Sequence, residues 1–230
     1  MRKSEDQTEP VPTLTLTQET KDPLALWEIV SVVTSCLITE WVVMAFVGNS
    51  KTIGAIPAGF ALGFMIFSHR ERGETPRSLG FRFDNFLGAV RLLLWPTLIA
   101  AVSIVLVSWW LRGSDFALAP LRARFLSLPL WALFQQYALQ GFINQRAQLS
   151  LGKGVKSIVL VAVVFSLLHF PNPILMALTL VGGVLWATVY QRAPNLFAPA
   201  LSHAFVSLLL ALSVSPNLMN GLRVGLKYFH

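Results

Sequence analysis

The stretch KSIVLVAVVFSLLHFPNPILMALTLVGGVLWATVYQR, residues 156–192, decides the fold. No charged side chain lies between Lys156 and Arg192. A membrane-spanning helix needs roughly 20 apolar residues at a rise of about 1.5 Å each, and this run holds two such lengths. Pro171-Asn172-Pro173 divides them, because proline cannot continue a helix and also restricts the residue before it. The stretch therefore reads as helix, break, helix, each long enough to enter a bilayer.

Working outward, five more apolar runs appear, giving seven spans at about 25–48, 51–68, 85–111, 125–147, 156–170, 173–191 and 196–214. The second and fifth are short, so six or eight spans also fit. The fold class this predicts is all-α, a polytopic membrane helix bundle over 24–215. It is flanked by a polar, disordered N-terminal tail (1–23) and a short C-terminal tail (216–230). The tail lacks the basic-then-apolar pattern of a signal peptide.

Composition agrees. Apolar residues make up 54% and charged residues 13%, whereas a soluble domain carries about a quarter charged residues to clothe its surface. The net charge of +7 does not point to nucleic acid. Lys and Arg stand singly between apolar runs, as at membrane interfaces, and no basic recognition motif occurs. The one cysteine, Cys36, excludes an intrachain disulfide framework and any multi-cysteine metal site.

With seven spans, one side receives twelve of the eighteen Lys and Arg residues and the other six. Arg146 and Lys156 fall on the richer side, Arg112 on the poorer. The positive-inside rule then places the N-terminus in the cytoplasm. Small residues recur at close-packing spacing in Gly59-Phe-Ala-Leu-Gly63 and, more weakly, at Gly183 and Ala187, both read as helix-packing faces.

Polar groups in hydrocarbon are costly unless they face partners or water, so they mark where function lies. Gln136, Gln140 and Asn144 recur at i, i+4 and i+8 on one helical face, with Gln135 beside them. His169 ends the fifth span. His203 lies in the seventh, with Ser207 one turn on. By helical rise, Gln136 lies roughly 15 Å below Arg146, His169 roughly 20 Å below Lys156 and His203 roughly 12 Å below Asn195. Three helices thus bring polar groups into one slab of the membrane, predicting a shared intramembrane site.

These blocks resemble the CPBP family of intramembrane proteases, which includes CAAX prenyl-protein endopeptidases and bacteriocin-processing (Abi) proteins. The family pattern is Glu-Glu-x-x-x-Arg, then Phe-x-x-x-His, then His-x-x-x-Asn. Here the first block reads Gln135-Gln136-Tyr-Ala-Leu-Gln140, followed by Gly141. The second, Phe165-Ser-Leu-Leu-His169, matches fully. The third, His203-Ala-Phe-Val-Ser207, matches by half. The resemblance covers roughly 78–213. It implies that Gln135 stands at the general-base position with Gln136 beside it and Gln140 at the arginine position. His169 and His203 stand as the two histidines, and Ser207 where an oxyanion-supporting Asn is expected. It further implies hydrophobic or lipidated peptides as partners, alongside membrane lipid, and a bacterial cytoplasmic membrane as location. No cofactor or metal is implied.

The departure is chemical. A carboxamide cannot accept a proton at neutral pH, and general-base catalysis contributes about 10²–10⁴-fold. No Asp or Glu follows Asp115, so nothing in the motif-bearing half replaces the lost carboxylates. One reading is a catalytically impaired homologue, a pseudoenzyme. Its charged motif residues have become glutamine together, leaving a neutral hydrogen-bonding pocket. A second keeps peptidase activity, with Glu40, roughly 18–24 Å deep in the first span, or His169 as base. A non-enzymatic binding or chaperone partner and a transporter remain as alternatives from other classes. The transporter lacks the expected internal symmetry, and two histidines among amides make a poor zinc set.

Overall fold

The computed structural model describes residues 22–47, 51–112, 126–215 and 217–230. They form seven helices, with no strand among the described residues. Helix α1 spans Pro23–Leu37 and continues through a π-helical segment, Ile38–Val43, into a last turn, Met44–Val47. Helices α2 (Lys51–Glu71) and α3 (Phe86–Arg112) follow. Helix α4 runs from Leu128–Gln136 through a π-helical segment, Tyr137–Asn144, to Gln145–Leu151. Helices α5 (Val155–Leu167), α6 (Pro173–Arg192) and α7 (Phe197–Ser213) complete the bundle.

Local chemistry sets these ends. Asp22 caps α1 by accepting from the Leu24 N–H, with Pro23 as first helical residue. Asn172 caps α6 in the same way, accepting from Leu175 N–H ahead of Pro173. Proline suits the first helical position because its missing N–H would be unpaired there anyway. Asp22 and Pro23 therefore belong to the bundle, not to a tail. The rest of the tail expectation falls on residues 1–21, outside those described. Gly152 and Gly154, at φ 79° and 131°, turn the chain sharply between α4 and α5. The connection is only three residues, shorter than the sequence suggests.

Helix α5 lies along α6, α7 lies against both α3 and α4, and α1 packs on α2 and on the last turns of α4. The closest approach falls at the weaker of the two small-residue faces. A Cβ on Gly183 would stand 2.7 Å from the Ala162 Cα, and Ala187 is wholly buried. A Cβ on Gly59 or Gly63, by contrast, would meet nothing within 4 Å. The more regular GxxxG face packs against no other part of the described chain.

The exposure pattern is that of a protein dissolved in hydrocarbon. Phe46 is 86% exposed, Trp110 78%, Phe60 75% and Trp95 70%, while Arg146, Gln136, Gln140 and Asn144 are each 0% exposed. Large apolar surface outside with polar side chains paired inside fits lipid and not water. By length and composition α3, α6 and the first 21 residues from Pro23 are long and apolar enough to cross a membrane, with α5 and α7 shorter apolar helices. The chain is an integral membrane protein.

The last residues fold back onto the bundle. Asn172 Nδ2 donates to the Met219 carbonyl at 2.8 Å and the Arg223 carbonyl at 3.2 Å. The Gly225 N–H donates to the Phe170 carbonyl. Two short 3-10 turns, Asn220–Leu222 and Gly225–Phe229, thus close one end of the molecule.

Candidate functional site

The centre of the bundle is a contact between α4 and α7. The Gln136 side-chain amide Nε2–H donates to His203 Nδ1 at 3.3 Å. The His203 ring lies beside the Trp186 indole, centroids 4.6 Å apart and tilted by 31°. The indole is itself held, Nε1–H donating to Ser202 Oγ, which also bonds Thr97. His203 is thereby fixed by residues from α3, α4, α6 and α7.

His169 reaches the same place from another direction. It lies in the turn just after α5, not in the helix itself. Its Nδ1–H donates to the Phe165 carbonyl at 2.7 Å, leaving Nε2 as an acceptor. The Phe165 ring meets both imidazoles edge-on, His169 at 4.8 Å and His203 at 5.8 Å. The two histidines therefore both contact one aromatic ring. In this chain the phenylalanine of the Phe-x-x-x-His block is thus shared by both imidazoles.

A run of amides continues from Gln136 along α4. Gln140 Oε1 accepts from Asn144 Nδ2 at 2.7 Å, and Asn144 Oδ1 accepts from Gln191 Nε2 at 2.9 Å. Gln191 also donates to Ser157 and accepts from the Gly154 N–H. Between the two glutamines the run is open. Gln136 Oε1 and Gln140 Nε2 are both buried without a hydrogen-bond partner. One is an acceptor and the other a donor, one turn apart. The π-helical segment carrying Gln140 and Asn144 leaves the regular α ladder at this point, as such segments often do at functional sites.

The other predicted residues make no bond to the two imidazoles. Gln135 and Ser207 are half-buried and bond to neither imidazole. Glu40 lies in the π-helical segment of α1, against the C-terminal turn. A Cβ at Gly225 would stand 2.9 Å from the Glu40 Cβ and 3.1 Å from its Oε2. Among the described residues no carboxylate bonds to His169 or His203.

The sequence reading missed the charged network at the other end of α4. Arg146, counted there as an interface charge, is 0% exposed. Its Nε donates to Glu28 at 2.5 Å, and Nη1 and Nη2 donate to Glu74 at 2.7 and 2.8 Å. Glu74 also bonds His69, and Arg72 joins Glu28 to Asp22. Burial works to raise the Glu74 carboxyl, but the bonds from His69 and Arg146 outweigh it and hold it at about 2. Asp22 is lowered chiefly by its bond to Arg72. The signal available was the pair of acids, Glu28 and Glu74, bordering apolar spans, since acids there need a cation.

Residues 118–209 match a family model described as type II CAAX prenyl endopeptidase Rce1-like. The match covers all three motif blocks and agrees with the CPBP resemblance. No curated protein and no solved structure matches the chain significantly.

Proposed function

We propose that this chain, an integral membrane protein of the CAAX-endopeptidase-like type, is a catalytically impaired relative that binds hydrophobic or lipidated peptides in a neutral intramembrane pocket. One observation carries the reading. His203 is paired to the carboxamide of Gln136, a group that can hold an imidazole but cannot take a proton from water. The amide run behind it is likewise neutral. Gln136 Oε1 and Gln140 Nε2, buried without a partner, are an acceptor and a donor that the backbone amide of a peptide entering the bundle would satisfy. Such a pocket can orient an extended peptide without cutting it.

Glu40 packs against Gly225 and bonds to neither imidazole, so it adds no support to the active-peptidase alternative. The N-terminus in the cytoplasm, from the Lys and Arg distribution, belongs to the same proposal.

The test uses the full chain in detergent micelles with farnesylated and unmodified hydrophobic peptides. Binding without cleavage is expected, weakened by His203→Ala. Cleavage by the wild-type chain that is lost in His169→Ala or Glu40→Gln would overturn the impaired reading. Absence of any peptide binding would overturn the pocket's proposed role.

A further inference from the structure

Residues 219–229 lie across one end of the bundle, held there through their main chain. Asn172, 1% exposed, donates through Nδ2 to the Met219 and Arg223 carbonyls while its Oδ1 caps α6. The Gly225 N–H donates at 2.9 Å to the carbonyl of Phe170, the residue after His169. On its other face Gly225 meets α1, where a Cβ would stand 2.9 Å from the Glu40 Cβ and 3.0 Å from the Glu40 carbonyl oxygen. Gly225 is thus wedged between α1 and the turn that carries His169.

Two features mark this segment as a replaceable occupant. Its bonds to the turn use N–H and C=O groups that any extended peptide presents. Its backbone is also strained. Asn220, Gly221 and Leu222 lie in succession at φ 47°, 62° and 62°. Glycine accepts that region and asparagine tolerates it, but for leucine it is costly. Strain of this kind persists only where surrounding contacts impose it, as at clamps and switches. Here the imposing contacts are the bonds from Asn172, on either side of the strained residues.

Beside the Phe170 carbonyl runs an apolar groove of about 500 Å³, lined by Leu37, Trp41, Leu167 and Phe170. The Phe229 ring of the segment reaches Trp41 there, with centroids 6.4 Å apart. A main-chain acceptor, a buried amide donor and an apolar slot are what recognition of an extended peptide requires. We infer that the Phe170 carbonyl, Asn172 Nδ2 and this groove form a binding site for an extended peptide with an aromatic or aliphatic side chain, and that residues 219–229 hold its main-chain positions in cis until such a peptide displaces them. This site shares no residue with the Gln136–Gln140 pair, and the inference does not depend on the pocket proposed there.

The test is hydrogen–deuterium exchange of the full chain in micelles, read on the fragment holding 219–229, together with binding of a fluorescent peptide that copies those residues. The wild type should exchange slowly there and bind the copy weakly. Gly225→Ala, whose Cβ meets Glu40, should exchange fast and bind the copy about tenfold more tightly, because a site occupied in cis lowers apparent affinity by the fraction that is free. A copy N-methylated at the glycine corresponding to Gly225 lacks the donor for Phe170 and should not bind. If Gly225→Ala does not fold, Asn172→Asp decides. It keeps an acceptor to cap α6 but lacks the Nδ2 donor, so the segment should exchange fast. Fast exchange in the wild type, slow exchange in Asn172→Asp, or equal binding of the plain and N-methylated copies overturns the inference. Neither readout uses the peptides that test the Gln136 pocket, so the two readings fail separately.

Discussion

The side-chain amide of Gln136 donates to Nδ1 of His203 at 3.3 Å, joining two helices 67 positions apart in the chain. Both partners are buried, at 0% and 8% exposure, so the bond is also an energetic commitment. Gln136→Leu leaves the imidazole nitrogen unpaired, at a cost of about 1–3 kcal/mol. Thermal unfolding in micelles should show the loss. In Gln136→Leu/His203→Ala the two changes should cost less than their sum, as expected of residues in contact. Strict additivity would mean that the contact carries no stability.

The Arg146 network predicts a larger loss. Arg146→Met keeps the stem but strands Glu28 and Glu74 as partly buried carboxylates. Breaking a buried pair from one side costs about 3–5 kcal/mol. Arg146→Met should therefore unfold well below the wild type. Adding Glu74→Gln to Arg146→Met should restore part of the loss, because it removes one stranded charge. The same micellar melting curves, on the single and double variants, check both statements.

Acid should loosen this end of the protein. The folded Glu74 carboxyl sits at about 2, below the ordinary glutamate value of 4.5. A depressed carboxyl contributes stability that is full above its unfolded value and fades as pH falls from there towards the folded one. Unfolding temperature should drop between about pH 5 and pH 2, and Glu74→Gln should flatten part of that slope while starting from lower stability at pH 7. Asp22, lowered by Arg72, adds to the same window. A slope in Glu74→Gln identical to the wild type's would count against the assignment.

The two small-residue faces should respond oppositely. Gly183→Val must displace Ala162, whose Cα lies 2.7 Å from where a Cβ would stand. Overpacking of this kind costs about 1–3 kcal/mol. Gly63→Ala meets nothing within 4 Å, so thermal unfolding should find it neutral or slightly stabilised through helix propensity.

Apolar run lengths placed all seven helices within a few residues, because hydrocarbon thickness sets a length and Pro171-Asn172-Pro173 sets a break. The family blocks led to His169 and His203 and put Gln135 at the base position, whereas the i, i+4, i+8 spacing put Gln136 on the stripe with Gln140 and Asn144, the three that are buried. Gln135 and Gln136 are adjacent, and the rotation of α4 against α7 selects Gln136. The burial of Arg146 was missed because a positive charge near a helix end looks the same whether it reaches water or folds inward. Its carboxylates come from distant segments, and pairing at that range leaves no local periodic trace. The Gly59 and Gly63 spacing was visible, but spacing does not say whether a neighbour arrives.

The guanidinium of Arg146 has a consequence for how the molecule can be divided. Every motif block lies beyond residue 115, where the chain has no acid at all. The counter-ions that make Arg146 tolerable, Glu28 and Glu74, are both supplied by the opening third. Cut away from that third, the stretch corresponding to the matched domain would hold a bare cation in its interior. It is thus not an autonomous unit: the early helices act as an electrostatic scaffold, and a truncated product should misassemble until the missing piece is supplied in trans.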